Sequence, residues 1–152
     1  LNLNKNTNLN YKKIYKFENL EELYFESNFI NGNKIEKEGA KYLSQANLHN
    51  LKKLDLIFSK IEDEGMKFLS KANFQNLRGI NLGNNQITHE GAKYLSEANF
   101  PNLETIGFLN TKKYSSEDYL KFFQANLKKL KISDFEIYTY IQNMRMEMDY
   151  FS

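Results

Sequence analysis

Few residues of this chain have the types and spacing that chemistry requires. The two histidines, His49 and His89, stand in no recognisable motif, so each reads as a solvent-facing loop residue. No Gly-rich phosphate loop, His-x-x-His pair or Gly-x-Ser-x-Gly elbow occurs in the sequence, so nothing announces phosphate cradling, zinc ligation or a serine nucleophile. The acidic run Glu62-Asp63-Glu64 lacks the alternating ligand spacing of a calcium loop. It suits the first turn of a helix, where negative charge opposes the helix dipole favourably. There are no cysteines, which removes disulfides, thiolate metal sites and a cysteine nucleophile and fits a reducing compartment. The expectation is therefore a chain that is not an enzyme, with no cofactor, metal or small-molecule substrate.

Charge and hydropathy narrow the partner. The 21 basic and 19 acidic residues are mostly interspersed and leave a net charge of +2. A nucleic-acid binder clusters its basic excess, and only Lys128, Lys129 and Lys131 approach a cluster here. Arg78 and Arg145 are the only arginines, so bidentate recognition of phosphate or guanine has few candidates. No apolar run reaches the roughly 18–20 residues that a membrane helix needs. Neither nucleic acid nor membrane is expected as a partner, and the chain is expected inside the cell, in the cytoplasm.

The elements that position any functional residue come from an internal repeat. Glu38-Gly39-Ala40-Lys41-Tyr42-Leu43-Ser44 returns as Glu64-Gly65-Met66-Lys67-Phe68-Leu69-Ser70 and as Glu90-Gly91-Ala92-Lys93-Tyr94-Leu95-Ser96, each copy 26 residues after the last. Each is followed by an Asn-Leu pair: Asn50-Leu51, Asn76-Leu77 and Asn102-Leu103. From these pairs runs a second pattern, in which Leu51, Leu54, Leu56 and Ile61 match Leu77, Ile80, Leu82 and Ile87. An earlier copy is Leu20, Leu23, Phe25 and Ile30; later ones carry Leu103, Ile106 and Phe108, then Leu127, Leu130 and Ile132. Leu54 and Leu56 are two apart, which puts them on one face of a short strand. Ala40, Leu43 and Ala46 fall on one face of a helix. Thr88 is a candidate helix cap. The recurring Gly39, Gly65 and Gly91 each cost roughly 1 kcal/mol against alanine inside a helix, and close approach of helix to strand is the expected reason. Asn28 and Asn85 stand where an asparagine side chain can bond to backbone left unpaired by a turn; Ser59, Thr111 and Phe135 replace it in other copies, so that ladder is incomplete.

A unit of Leu-x-x-Leu-x-Leu-x-x-Asn-x-Ile followed by Glu-Gly-Ala-Lys-Tyr-Leu resembles the leucine-rich repeat of the ribonuclease-inhibitor type, over about Leu20 to Ile132. The resemblance implies an α/β leucine-rich-repeat solenoid, a right-handed β-α superhelix with parallel strands on a concave face and helices on a convex face. One strand and one helix cannot bury their apolar faces alone, so neighbouring units must stack into a continuous core. The expected organisation is one domain, 1–152, of about five repeats, with a partial repeat at 1–18 and a closing segment at 133–152. The mid-repeat beginning suggests part of a longer array. Asn31-Gly32-Asn33-Lys34 lengthens one unit and reads as a surface loop. Between 137 and 150 the periodicity fits a helix face and an alternating strand equally.

Alternation points the residues between the buried leucines outward. The expected partner-binding set is Tyr24, Glu26, Asp55, Ile57, Phe58, Asn81, Asn84, Leu109, Asn110, Lys129 and Lys131. Gly83 is expected to face outward with them. A plain solvated face would be uniformly polar, whereas Tyr24, Ile57, Phe58 and Leu109 are not, and apolar groups among charges typify an interaction patch. Charge runs from acidic at Glu22 and Glu26 to basic at Lys129 and Lys131, which would orient a partner. The expected function is a non-enzymatic module that binds a protein through the concave face. Alternatives are a structural subunit of a larger intracellular assembly and a GTPase-activating protein of the Ran type, for which Asn81, Asn84 and Asn110 are the polar candidates.

Overall fold

The computed structural model describes residues 2–3, 18–25 and 35–107. Within them, strands and helices alternate: β1 (Asn2–Leu3), β2 (Glu22–Phe25), α1 (Glu36–Gln45), β3 (Lys53–Asp55), α2 (Glu62–Leu69), β4 (Gly79–Asn81), α3 (His89–Ser96) and β5 (Thr105–Gly107). The strands form a single sheet in sequence order, and every neighbouring pair is parallel. Parallel neighbours need a crossover, which α1, α2 and α3 supply from β2 to β5.

The register follows the 26-residue period. Leu54 pairs with Leu23 on one side and Ile80 on the other, and Ile80 pairs with Ile106. These four side chains are buried together with Leu51, Leu56, Leu77 and Leu82. From the helices come Ala40, Leu43, Met66, Leu69, Ala92 and Leu95, all in the same apolar cluster. Phe74 and Phe100, one period apart, close its base with ring centroids 5.6 Å from each other. The core is thus a stack of equivalent side chains in which each repeat roofs the one before it.

Two further ladders hold the stack in register. Asn76 Nδ2 donates to the His49 carbonyl at 2.8 Å, Asn102 Nδ2 to the Gln75 carbonyl at 2.8 Å, and Asn50 Nδ2 to the Glu18 carbonyl at 3.4 Å. The recurring Asn-Leu asparagines therefore tie each repeat to the backbone of its predecessor. At the far end of the strands, buried Asn85 accepts from Ser59 N at 2.9 Å and Ile61 N at 3.2 Å. It donates to the Leu56 carbonyl at 2.7 Å and the Gly83 carbonyl at 3.2 Å. One side chain thus satisfies four backbone groups of two adjacent turns.

The helix glycines have a different reason from the expected one. A Cβ on Gly65 would meet Ala40 of α1 at 3.3 Å and Ile61 Cγ2 at 2.6 Å; on Gly91 it would meet Ile87 Cγ2 at 2.6 Å and the Asp63 carboxylate of α2. The close approach at Gly65 and Gly91 is helix to preceding helix, not helix to strand. A second difference concerns strand length. β3 and β4 span three residues each, so Ile57, Phe58 and Asn84 lie in the turns beyond the strands. Gly83 is buried rather than outward.

Candidate functional site

The outward sheet face is built from the positions that flank the buried column. Tyr24, Asp55, Asn81 and Gly107 form one row across β2 to β5, and Glu22, Lys53, Gly79 and Thr105 form the next. All but Lys53 are half-buried, and Lys53 is exposed. Tyr24, Asp55, Ile57, Phe58, Asn81 and Asn84 thus fall together on this face and its adjoining turns, each half-buried. Glu26, Leu109, Asn110, Lys129 and Lys131 lie outside the described residues, as do the 31–34 insertion and the segment 133–152.

Side chains on the face are engaged with one another. Glu22 takes Lys53 Nζ on Oε1 at 3.1 Å and the Tyr24 hydroxyl on Oε2 at 3.0 Å. Those two bonds hold the Glu22 carboxyl below its ordinary pKa, and the carboxylate in turn pushes the Tyr24 phenol above its own. Removing the carboxylate should release the phenol: in Glu22→Gln, the Tyr24 titration followed by ultraviolet absorbance is expected to fall back toward the free value near 10. An unmoved titration would mean that this cluster does not persist in solution.

Asp55 and Asn81 close the ends of their strands. Asp55 Oδ1 accepts from Ile57 N at 3.0 Å, and Asn81 Oδ1 accepts from Gly83 N at 3.1 Å, both residue i to i+2. These are turns in which the side chain mimics a backbone carbonyl. Asn81 Nδ2 also donates to Asp55 Oδ2 at 3.1 Å, linking the two turns. After them the chain enters the left-handed region at Phe58 (φ 55°) and at Asn84 (φ 56°), equivalent positions one repeat apart.

Beyond this face, the acidic run at 62–64 has a role that sequence reasoning assigned only in part. Asp63 Oδ1 accepts from Thr88 N at 2.8 Å and Gly91 N at 3.0 Å, and Oδ2 accepts from Thr88 Oγ1 at 2.6 Å. Asp63 sits in the first turn of its own helix as expected, but its carboxylate caps the next one. Thr88 accepts from Glu90 N at 3.3 Å, the expected cap. The signal available in the sequence was that Asp63 interrupts the repeat, since Lys37 and His89 hold the equivalent positions.

With three-residue strands about 10 Å long and strand spacings near 4.8 Å, β2 to β5 expose a strip of roughly 150 Å² in projection. The turns at 57–58 and 83–84 must contribute before it approaches the ~800 Å² per partner of a standard interface. No helix among the described residues is long and apolar enough to cross a membrane.

Comparison with known families places these observations. A family model described as leucine rich repeat matches residues 47–70 and 75–96, two consecutive units that each contain one described helix. A comparison with curated proteins gave no match.

Proposed function

Because the chain is a leucine-rich-repeat protein, we propose that it binds a protein partner through the outward sheet face and the turn that follows it, centred on Ile57 and Phe58. Leucine-rich repeats generally serve as non-enzymatic interaction modules. The proposal adds which surface of this chain is used.

The observation that carries it is Phe58. Its backbone is left-handed, a conformation that costs a residue with a Cβ about 1–2 kcal/mol and that asparagine tolerates best after glycine. The turn imposes the same region on Glu36, Lys60, Glu62, Asn84 and Gln86, all polar. Among the described residues, Phe58 alone puts a large apolar side chain there, half-exposed beside half-exposed Ile57. The next repeat solves the same turn with Gly83 and Asn84. Strain held at a surface position is a mark of function.

Two outcomes follow. Phe58→Asn, which copies the neighbouring repeat, is expected to raise unfolding stability by about 1 kcal/mol in urea denaturation while weakening partner binding. Affinity capture with the wild type and with the double variant Ile57→Asp, Phe58→Asp, read by quantitative mass spectrometry, tests the surface itself. Partners that depend on this face should drop out with the double variant. Unchanged recovery by a double variant whose circular dichroism matches wild type would remove this face from consideration.

A further inference from the structure

The outward face carries one negative charge more than its own cations balance. Glu22, Lys53 and Asp55 are the charged residues of β2 to β5, two carboxylates against one ammonium. Glu22 and Lys53 meet at 3.1 Å, and along the edge of the sheet Lys52 meets Glu21 at 2.7 Å and Arg78 meets Glu104 at 3.3 Å. Asp55 is paired with no cation among the described residues. Its carboxylate is nonetheless held in place, since Oδ1 accepts from Ile57 N at 3.0 Å and Oδ2 from Asn81 Nδ2 at 3.1 Å. Two amide hydrogen bonds fix the group without discharging it. An ionised carboxylate has about four lone-pair sites, so about two are left for a partner.

Tyr24 is the residue paired with Asp55 across β2 and β3. Both are half-buried, and the Tyr24 hydroxyl is anchored on Glu22 Oε2 at 3.0 Å. A positioned carboxylate beside a positioned aromatic ring matches a guanidinium, which can give the one a forked hydrogen bond and lay its plane on the other. Resting on the reading above, we infer that the partner segment seated on this face delivers an arginine to Asp55, with its guanidinium beside the Tyr24 ring. An exposed ion pair is weak chiefly because two long side chains must be ordered. Here the acceptor is already ordered by its own turn, so binding has to order the arginine alone. Lys53, two residues from Asp55 on β3, would repel the incoming cation, and its pairing with Glu22 offsets that repulsion. A lysine in place of the arginine would bring charge but neither the fork nor the stacking plane.

The test pans a displayed library of random peptides on the full chain and measures enriched peptides by fluorescence anisotropy. These peptides are expected to share an arginine whose replacement by glutamine weakens binding about five- to tenfold, the size of an ion pair reinforced by ring contact. Asp55→Asn should cost the arginine peptides a similar factor and the glutamine peptides nothing further. Asn81 makes the same turn one repeat later, so this variant is expected to keep the fold. Between roughly 0.01 M and 1 M salt the screening length shrinks from about 30 Å to about 3 Å, and the Asp55→Asn effect should shrink with it. Phe58→Asn changes no charge and should weaken arginine and glutamine peptides alike. Enriched peptides that lack arginine, or that Asp55→Asn leaves untouched, would overturn the arginine contact while a loss with Phe58→Asn kept the face. An equal loss of arginine and glutamine peptides with Asp55→Asn would mean a disturbed turn and would overturn the contact as well. Peptides indifferent to both variants, or a library that yields no binder, would count against contact and face together.

Discussion

Asp63→Ala is expected to lose about 2–4 kcal/mol of unfolding stability, a large share of the roughly 5–15 kcal/mol that holds a typical domain together. The carboxylate takes three protons from the start of α3, two of them backbone N–H groups that no intrahelical carbonyl can serve. Hydrogen bonds to an ionised acceptor are the stronger kind, and the negative charge also faces the positive end of the α3 dipole. Alanine removes all of this and leaves Thr88 N, Gly91 N and the Thr88 hydroxyl without their acceptor. Asp63→Asn keeps one acceptor oxygen but turns an amide toward the Thr88 hydroxyl, so it should fall about midway. Urea denaturation measures both, with an unchanged m-value as the sign that the unfolding unit is the same. A loss below about 0.5 kcal/mol for Asp63→Ala would mean that α2 and α3 are held by their apolar contacts alone.

The second large effect is expected at Asn85. Asn85→Ala takes away two donors and two acceptor contacts from a side chain that is 2 % exposed. The Ile61 amide is then left without its acceptor in an interior that water reaches poorly, and the Ser59 amide and Leu56 carbonyl keep only their bond to each other at 3.2 Å. Each unsatisfied buried group costs about 1–3 kcal/mol, and because neighbours share relaxation the total should be about 2–4 kcal/mol rather than the sum. Asn85→Asp is the sharper variant. It keeps the shape and the acceptor oxygen but points a second oxygen at the Leu56 and Gly83 carbonyls, so it should be at least as damaging as alanine at neutral pH. A nearly neutral Asn85→Asp would show that the two turns hold their shape without this side chain. Ser59 occupies the equivalent place one repeat earlier, where, among the described residues, its hydroxyl donates to the Ile57 carbonyl at 3.3 Å.

Both predictions concern contacts between repeats, which is where sequence reasoning ran short. The apolar period identified Leu23, Leu54, Ile80 and Ile106 as one column, and the structure pairs them in that register. It also identified Asn85 as a residue that bonds to turn backbone. What a single repeat cannot reveal is which group of its neighbour lies within hydrogen-bond reach. Asn50, Asn76 and Asn102 were visible as markers of the unit, yet their acceptors lie 27 to 32 residues earlier in the chain. Asp63 finds its donors 25 and 28 residues later.

The candidate site divides in the same way. Alternation was enough to turn Tyr24, Asp55 and Asn81 away from the core, because side-chain direction in a strand has a strict period of two. It was not enough past the strand ends. There the chain turns left-handed, buries Gly83 and leaves Phe58 half-exposed, since turn geometry rather than period then sets direction.

By itself the sequence determined the repeat, its strand-helix alternation and the columns of its core, because burying an apolar face forces a period that any copy displays. Only the tertiary structure decided the rest. It set the helix spacing that excludes a Cβ at Gly65 and Gly91, aimed Asp63 at the next helix, and paired Glu22 with Lys53. Each of these depends on distances between stacked units, and such distances exist only once the repeats have packed.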